Sequence, residues 1–215
     1  MPVSSDVAFT PSVKTIQAQR GSRANYRRLE ERGGWRVQID ADLAARLATA
    51  DSFYLATTNK AGQPYIQHRG GPPGFLRVLD EHTLGFTDFK GNRQYITTGN
   101  LADNPQAFIF VMDYVNRRRV KIWGTARVTQ DPAVIARLFP QAYTATPEQA
   151  ILFTVTAWDT NCPQHIPQKL PAANVAEVVG ALKARIVELE KALAAAGSAN
   201  VEIHPAGAAG LKTRS

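Results

Sequence analysis

Between Ser52 and Asp159 the chain is cut into short segments of alternating or continuously apolar character, each bounded by glycine, proline, asparagine or aspartate. That pattern admits few folds. SFYLATT at 52–58 and PYIQHR at 64–69 read as strands joined by a polar turn from Asn59 to Gln63. FLRVLD and TLGFTD form a second pair around Glu81 and His82, and AFIFVMDY and RRVKIWGTARVTQ a third, with Gly124 as a bending point. ILFTVTAWD from Ile151 is nearly continuous in apolar character, which places it centrally. About seven strands in sequential hairpins predict a mainly β protein whose sheet closes into a small barrel, rather than a parallel sheet.

Helical spacing flanks this region. Residues 12–32 are expected to form one accessory helix stopped by Gly33 and Gly34, and residues 41–50 a second, capped by Asp40. Residues 91–102 fit a helix between strands, and Asp131-Pro132 opens another through Leu138. Residues 174–196 carry Val175, Val178, Leu182, Ile186, Leu189 and Leu193 at steps of three and four, a stripe that requires a partner surface. The expected organisation is a helical extension at 1–50, a barrel at 51–169, a helix at 170–197 and a mobile tail at 198–215.

Composition removes several functions. No apolar run approaches the ~20 residues of a membrane span, and residues 1–22 lack the apolar centre of a secretory signal, so a cytoplasmic protein is expected. Cys162 is the single cysteine, which excludes an intrachain disulfide and an all-thiolate metal centre within one chain; Cys162 and His165 are two ligands where a tetrahedral site needs four. The net charge of +7 admits nucleic acid, but the aromatic and basic residues are not interleaved as in a single-strand groove. Arg20, Arg23, Arg27, Arg28 and Arg32 read as a solvated helix face.

Three segments carry phosphate-competent chemistry. Alternation in RRRVKIWG puts Val120 and Ile122 toward the core and Arg119, Lys121 and Trp123 together on the other face. Those three suit a phosphate and a planar ring, or form an exposed basic edge. HRGGPP at 68–73 ends a strand with His68, Arg69 and two glycines, either a plain turn or a close backbone approach to a ligand. FKGNRQ at 89–94 sits where a strand hands over to a helix, whose free N–H groups attract anions, with Asn92 and Arg93 as added donors. After the last strand, with Trp158 just before them, Asn161 and Gln164 offer two amides to a ring edge. His68 and His165 are the candidate proton carriers.

Taken in order, HRGGPPGFLRVLD, GNRQYI, GNL, RRRVKIWG and NCPQHI resemble the flavin-nucleotide-binding split barrels related to pyridoxamine 5'-phosphate oxidase, over about residues 53–169. The resemblance implies a six-stranded split barrel, a homodimer, and FMN in each cleft between subunits. It implies a flavin-ring contact for Thr87 and a phosphate clamp at Asn92, Arg93 and Gln94, the last replacing the family's lysine. Arg69, with His68 beside it, falls near the family's phosphate-reaching arginine. Arg119 and Lys121 would act from the neighbouring subunit, and Trp158, Asn161 and Gln164 would surround the ring. The oxidase's arginine-x-histidine substrate motif is absent, replaced by CPQHIPQK, so the resemblance implies an FMN-dependent oxidoreductase with a small-molecule redox substrate or nicotinamide donor, not that oxidase activity. A non-enzymatic redox partner and a haem or deazaflavin binder stand as alternatives.

Overall fold

The computed structural model describes residues 3–160 and 163–196, so Asn161 and Cys162 lie outside the described residues, as does the expected tail. Among the described residues, seven strands form one antiparallel sheet: β1 (Ser52–Thr58), β2 (Pro64–Gly70), β3 (Arg77–Val78), β4 (Thr83–Phe89), β5 (Gln106–Asp113), β6 (Arg118–Thr129) and β7 (Pro147–Thr160). Their order is β2-β1-β5-β6-β7-β4-β3. Six are long, and β3 contributes two residues. The three hairpins form as the sequence predicts, but β5 joins β1 and β7 inserts between β6 and β4, giving a crossover that hairpin spacing does not encode.

The sheet curls onto itself. Phe53 on β1 and Phe86 on β4 are four strand positions apart, about 19 Å in a flat sheet at ~4.8 Å per strand. Their ring centroids lie 5.1 Å apart, and Phe75 stacks on Phe53 at 5.4 Å. Alternation fills the interior with Leu55, Leu84, Ile109, Val111, Val120, Ile122, Ile151 and Phe153 around these rings. Gly124 is fixed by close approach: a Cβ there would stand 2.0 Å from the Thr154 carbonyl oxygen, beside the register shift between Trp123 and Gly124.

The expected single N-terminal helix is two, α1 (Pro11–Gln19) and α2 (Arg23–Glu31). Gly21 breaks it with a φ of 78°, a conformation open to glycine and unfavourable within a helix. Lys14 pairs with Asp6 at 2.7 Å and Glu30 at 3.2 Å, and Arg23 also pairs with Glu30. Trp35, following this segment, stacks on Trp123 of β6 at 4.5 Å and 14°. Helix α3 (Ala41–Thr49) is capped by Asp40 as predicted, and its Leu43 and Leu47 enter the core. Helix α5 (Pro132–Leu138) is capped by Asp131.

Helix α4 (Ile96–Asp103) begins five residues later than predicted. Residues 91–95 form a loop in which Arg93 and Tyr95 take positive φ values of 59° and 54°, so helical geometry cannot start before them. Helix α6 (Ala172–Ala196) lies in a unit separate from the one that holds the sheet. No helix among the described residues is long and apolar enough to cross a membrane.

Candidate functional site

A cavity of about 220 Å³ opens at the barrel's seam, where the edge strand β2 faces the free end of β4. Strand β2 contributes Tyr65, Gln67 and Arg69, every second residue on its inward face, and β4 contributes Asp88 and Phe89. The loop 91–95 and the first turn of α4 close the other side, with Glu148 of β7 at the rim.

Charge within the cavity is paired but not fully satisfied. Arg69 donates to Asp88, and both side chains are nearly buried, at 11% and 12% exposure. Gln149 Nε2 donates to the second Asp88 oxygen at 2.9 Å and to Thr98 Oγ1 at 2.8 Å, fixing the carboxylate. Among the described residues, none offers a hydrogen-bond partner to the buried Arg69 Nε. An unmet buried donor is costly unless a ligand or water completes it. Tyr95, the residue before α4, makes no side-chain cap bond, which leaves the first N–H groups without that partner, and Ile96, Thr97 and Thr98 of the first turn line the cavity.

At the mouth, Arg93 Nε donates to the Tyr95 hydroxyl at 3.0 Å, which in turn donates to Glu148 at 2.6 Å. The bond to the Tyr95 hydroxyl, with the Glu148 carboxylate beyond it, raises the Arg93 pKa. Asn92 Oδ1 accepts from the Gln94 N–H at 3.2 Å, which turns the loop. Thr97 Oγ1 donates to Gln67 at 2.9 Å and ties α4 to β2. The chemistry on offer is anion binding at a seam: two guanidinium groups, loop amides and a helix start.

Of the residues expected from sequence, Arg69, Asn92, Arg93 and Gln94 meet at this cavity. His68 does not, because alternation turns it to the outer face, where it packs edge-on against Tyr54 at 5.6 Å. Thr87 is buried, its hydroxyl without a partner among the described residues, but it faces away from its neighbour Asp88, toward the side that Leu138 covers at Gly85. Of the paired glycines of HRGGPP, Gly70 ends β2 and Gly71 N–H donates to Asp51 O at 2.9 Å, while Gly74, just beyond the motif, donates to Ala50 O at 2.9 Å.

Trp158 is a core residue at the other end of β7. Nine residues separate it from Gln149, about 30 Å of extended strand. It is 1% exposed, donates to Gln38 O at 2.7 Å and lies under the Arg36 guanidinium. Lys121 pairs with Asp159 at 3.2 Å beside Trp35 and Trp123, and Arg119 lies farther along the same face, so neither approaches the cavity of its own chain. Gln164 and His165 sit exposed in the loop after β7.

Sequence reasoning missed Gln67, Asp88, Tyr95, Glu148 and Gln149. Counting back by two from Arg69 yields Gln67 and Tyr65, a signal present in the sequence. Glu148 and Gln149 carried none, since they reach the cavity only through the β4–β7 pairing.

The family model for pyridoxamine 5'-phosphate oxidase matches residues 39–162, more than half of the chain. Among solved structures, HupZ of Group A Streptococcus aligns with a TM-score of 0.48 and 18% identity, covering 61% of this chain and 99% of that one. A putative pyridoxamine 5'-phosphate oxidase of Lactobacillus delbrueckii gives 0.45 and 16%, covering 58% and 95%. An FAD binding protein of Mycobacterium smegmatis gives 0.41 and 16%, covering 59% and 97%. No curated protein matches the chain.

Proposed function

The chain belongs to the pyridoxamine 5'-phosphate oxidase family, and from that premise we propose that it is an FMN-binding oxidoreductase that works as a homodimer on a small redox substrate or nicotinamide donor. The observation that carries the reading is the buried Arg69 Nε, unpartnered among the described residues, in a cavity that the uncapped first turn of α4 also lines. A phosphate completes both, because it accepts from guanidinium and from helix N–H groups alike.

The residues present fit the phosphate end of FMN. Arg69, Arg93 and Asn92 would hold it, and Gln94 supplies an amide where the family's lysine would bring charge. Bound FMN supplies hydride or single-electron exchange at its ring. Asp88, held by Arg69 and Gln149, orients the arginine, while Thr97 and Gln67 fix α4 against β2. At about 220 Å³ the cavity is smaller than the ~300 Å³ at which complete small-molecule sites begin, which supports a half-site that a second copy finishes. In that arrangement Arg119 and Lys121 would come from the second copy, and the exposed Tyr54 and Ile66 on the outer faces of β1 and β2 support barrel-to-barrel contact.

The absence of the arginine-x-histidine motif argues against pyridoxamine phosphate as substrate, and Asp88 is already engaged as an ion-pair partner. The test is the absorption spectrum of the purified protein and a titration of the flavin-free protein with FMN. Saturable uptake at one FMN per chain supports the reading, and no uptake overturns it. A haem or deazaflavin spectrum would assign the site to those ligands. Reduction of bound flavin by NADH or NADPH, followed by turnover of an acceptor, separates an enzyme from a flavin reservoir.

A further inference from the structure

Helix α6 exposes a continuous apolar seam: Val175, Val179, Leu182, Ile186, Leu189 and Leu193 are each between 41 and 62% exposed. Their spacing alternates four and three residues throughout, a heptad repeat with Val179, Ile186 and Leu193 at a and Val175, Leu182 and Leu189 at d. A 3.6-residue amphipathic stripe drifts off such a seam, whereas this one keeps to it over three turns and more. Helices of this length draw most of their stability from burying an apolar face.

The residue types narrow the partner. At the central positions, β-branched side chains at a (Val179, Ile186) with leucine at d (Leu182, Leu189) favour two parallel strands; the end positions, Val175 at d and Leu193 at a, depart from that pattern. Register is set by charge: Arg185 occupies g and Glu190 the following e. In a parallel, in-register pair each Arg185 therefore faces Glu190 of the partner subunit. Within one helix Arg185 pairs with Glu188 at 2.7 Å, with both side chains more than half exposed, so that contact is weak and exchangeable. Lys183 at e flanks Val178 at g, where its aliphatic stem covers the seam.

We propose that α6 associates with α6 of a second copy of this chain as a parallel, in-register, two-stranded coiled coil. The pairing holds whether or not a flavin binds. It raises the effective concentration of one barrel unit near another for whatever contact those units make.

The experiment uses the full-length chain with Cys162→Ser, adding Leu182→Cys or Leu189→Cys singly, under mild oxidation and non-reducing electrophoresis. Both variants give disulfide-linked dimers as the main product, while Ala184→Cys and Glu188→Cys, on the outer face, stay monomeric in the gel. An antiparallel pair cannot link both 182 to 182 and 189 to 189, so cross-linking at one position alone overturns the proposal. So does cross-linking at neither position, or equally at all four, in chains whose circular dichroism is unchanged. In sedimentation, Arg185→Glu weakens the dimer about 3- to 10-fold and Glu190→Arg in the same chain restores it. No loss, or no restoration, rejects the register.

Discussion

Arg69 of β2 is ion-paired with Asp88 of β4, although their strands stand first and sixth in the sheet. Five strand spacings of ~4.8 Å would part them by about 24 Å in a flat sheet. The pair therefore bridges the seam of the curled sheet, and it holds a guanidinium at the wall of the cavity. One interaction serves the fold and the candidate site together.

If Arg69 reads phosphate, Arg69→Ala weakens FMN binding by about 10- to 100-fold, the ~1.5–3 kcal/mol of a hydrogen bond to a charged group. Riboflavin, which lacks the phosphate, is affected far less. Asp88→Asn removes the competing carboxylate and tightens FMN binding. Parallel fluorescence titrations with both flavins decide this: an equal loss for the two ligands in Arg69→Ala would show that the arginine only supports the wall.

Gly124→Ala tests the bulge that turns β6. Its Cβ would collide with the Thr154 carbonyl oxygen and with the Phe153 ring, and backbone cannot step aside as a side chain does. Overpacking of this kind costs about 1–3 kcal/mol, seen as a lower Tm. Gly99→Ala, within α4 and with open space around it, raises stability by about 0.5–1 kcal/mol. An unchanged Tm for Gly124→Ala would mean that the strand relaxes at the bulge.

The strands were legible because period and turn residues agree: β1, β2, α5 and the cap at Asp40 stand where the pattern puts them. Helix α4 was misread because Arg93 and Tyr95 adopt left-handed backbone that their residue types do not announce. The site was half legible. Arg69 and GNRQ are local motifs, but Glu148 and Gln149 become neighbours of Tyr95 and Asp88 only through long-range pairing. Lys121 and Trp123 share a face as alternation requires, yet Trp35 from a distant segment occupies it. Periodicity names the face and not what covers it.

Acid should loosen the N-terminal segment first. Glu30 is held below its ordinary value of 4.5, chiefly by the hydrogen bond from Arg23 and also by Lys14. Asp6 is lowered from 3.8, chiefly by Lys14. A carboxylate depressed in the folded state contributes stability that is complete above its unfolded pKa and lost as pH falls through the folded one. Between pH 7 and 5 the contribution is therefore constant, and below about 4.5 it declines. Glu30→Gln flattens that decline when unfolding is followed from pH 5 to 3; a variant as acid-sensitive as the parent would place the sensitivity elsewhere.

Trp35 fastens that same segment to the barrel through Trp123, with Phe9 5.0 Å away on Trp35 and Tyr26 on Phe9 at 5.1 Å. Trp35→Ala removes the middle of this row. Trp35 is only partly buried, so the loss falls below the ~3–5 kcal/mol of a core tryptophan. The damage should stay local, because Trp35 touches the outer face of β6 while the interior rests on Phe53, Phe86 and Phe153. Limited proteolysis then cuts residues 3–35 readily while the barrel survives and the global Tm falls by a few degrees. Protection equal to that of the parent would mean that the buried Ser5 and the Lys14–Glu30–Arg23 ion pairs anchor the segment without the indole.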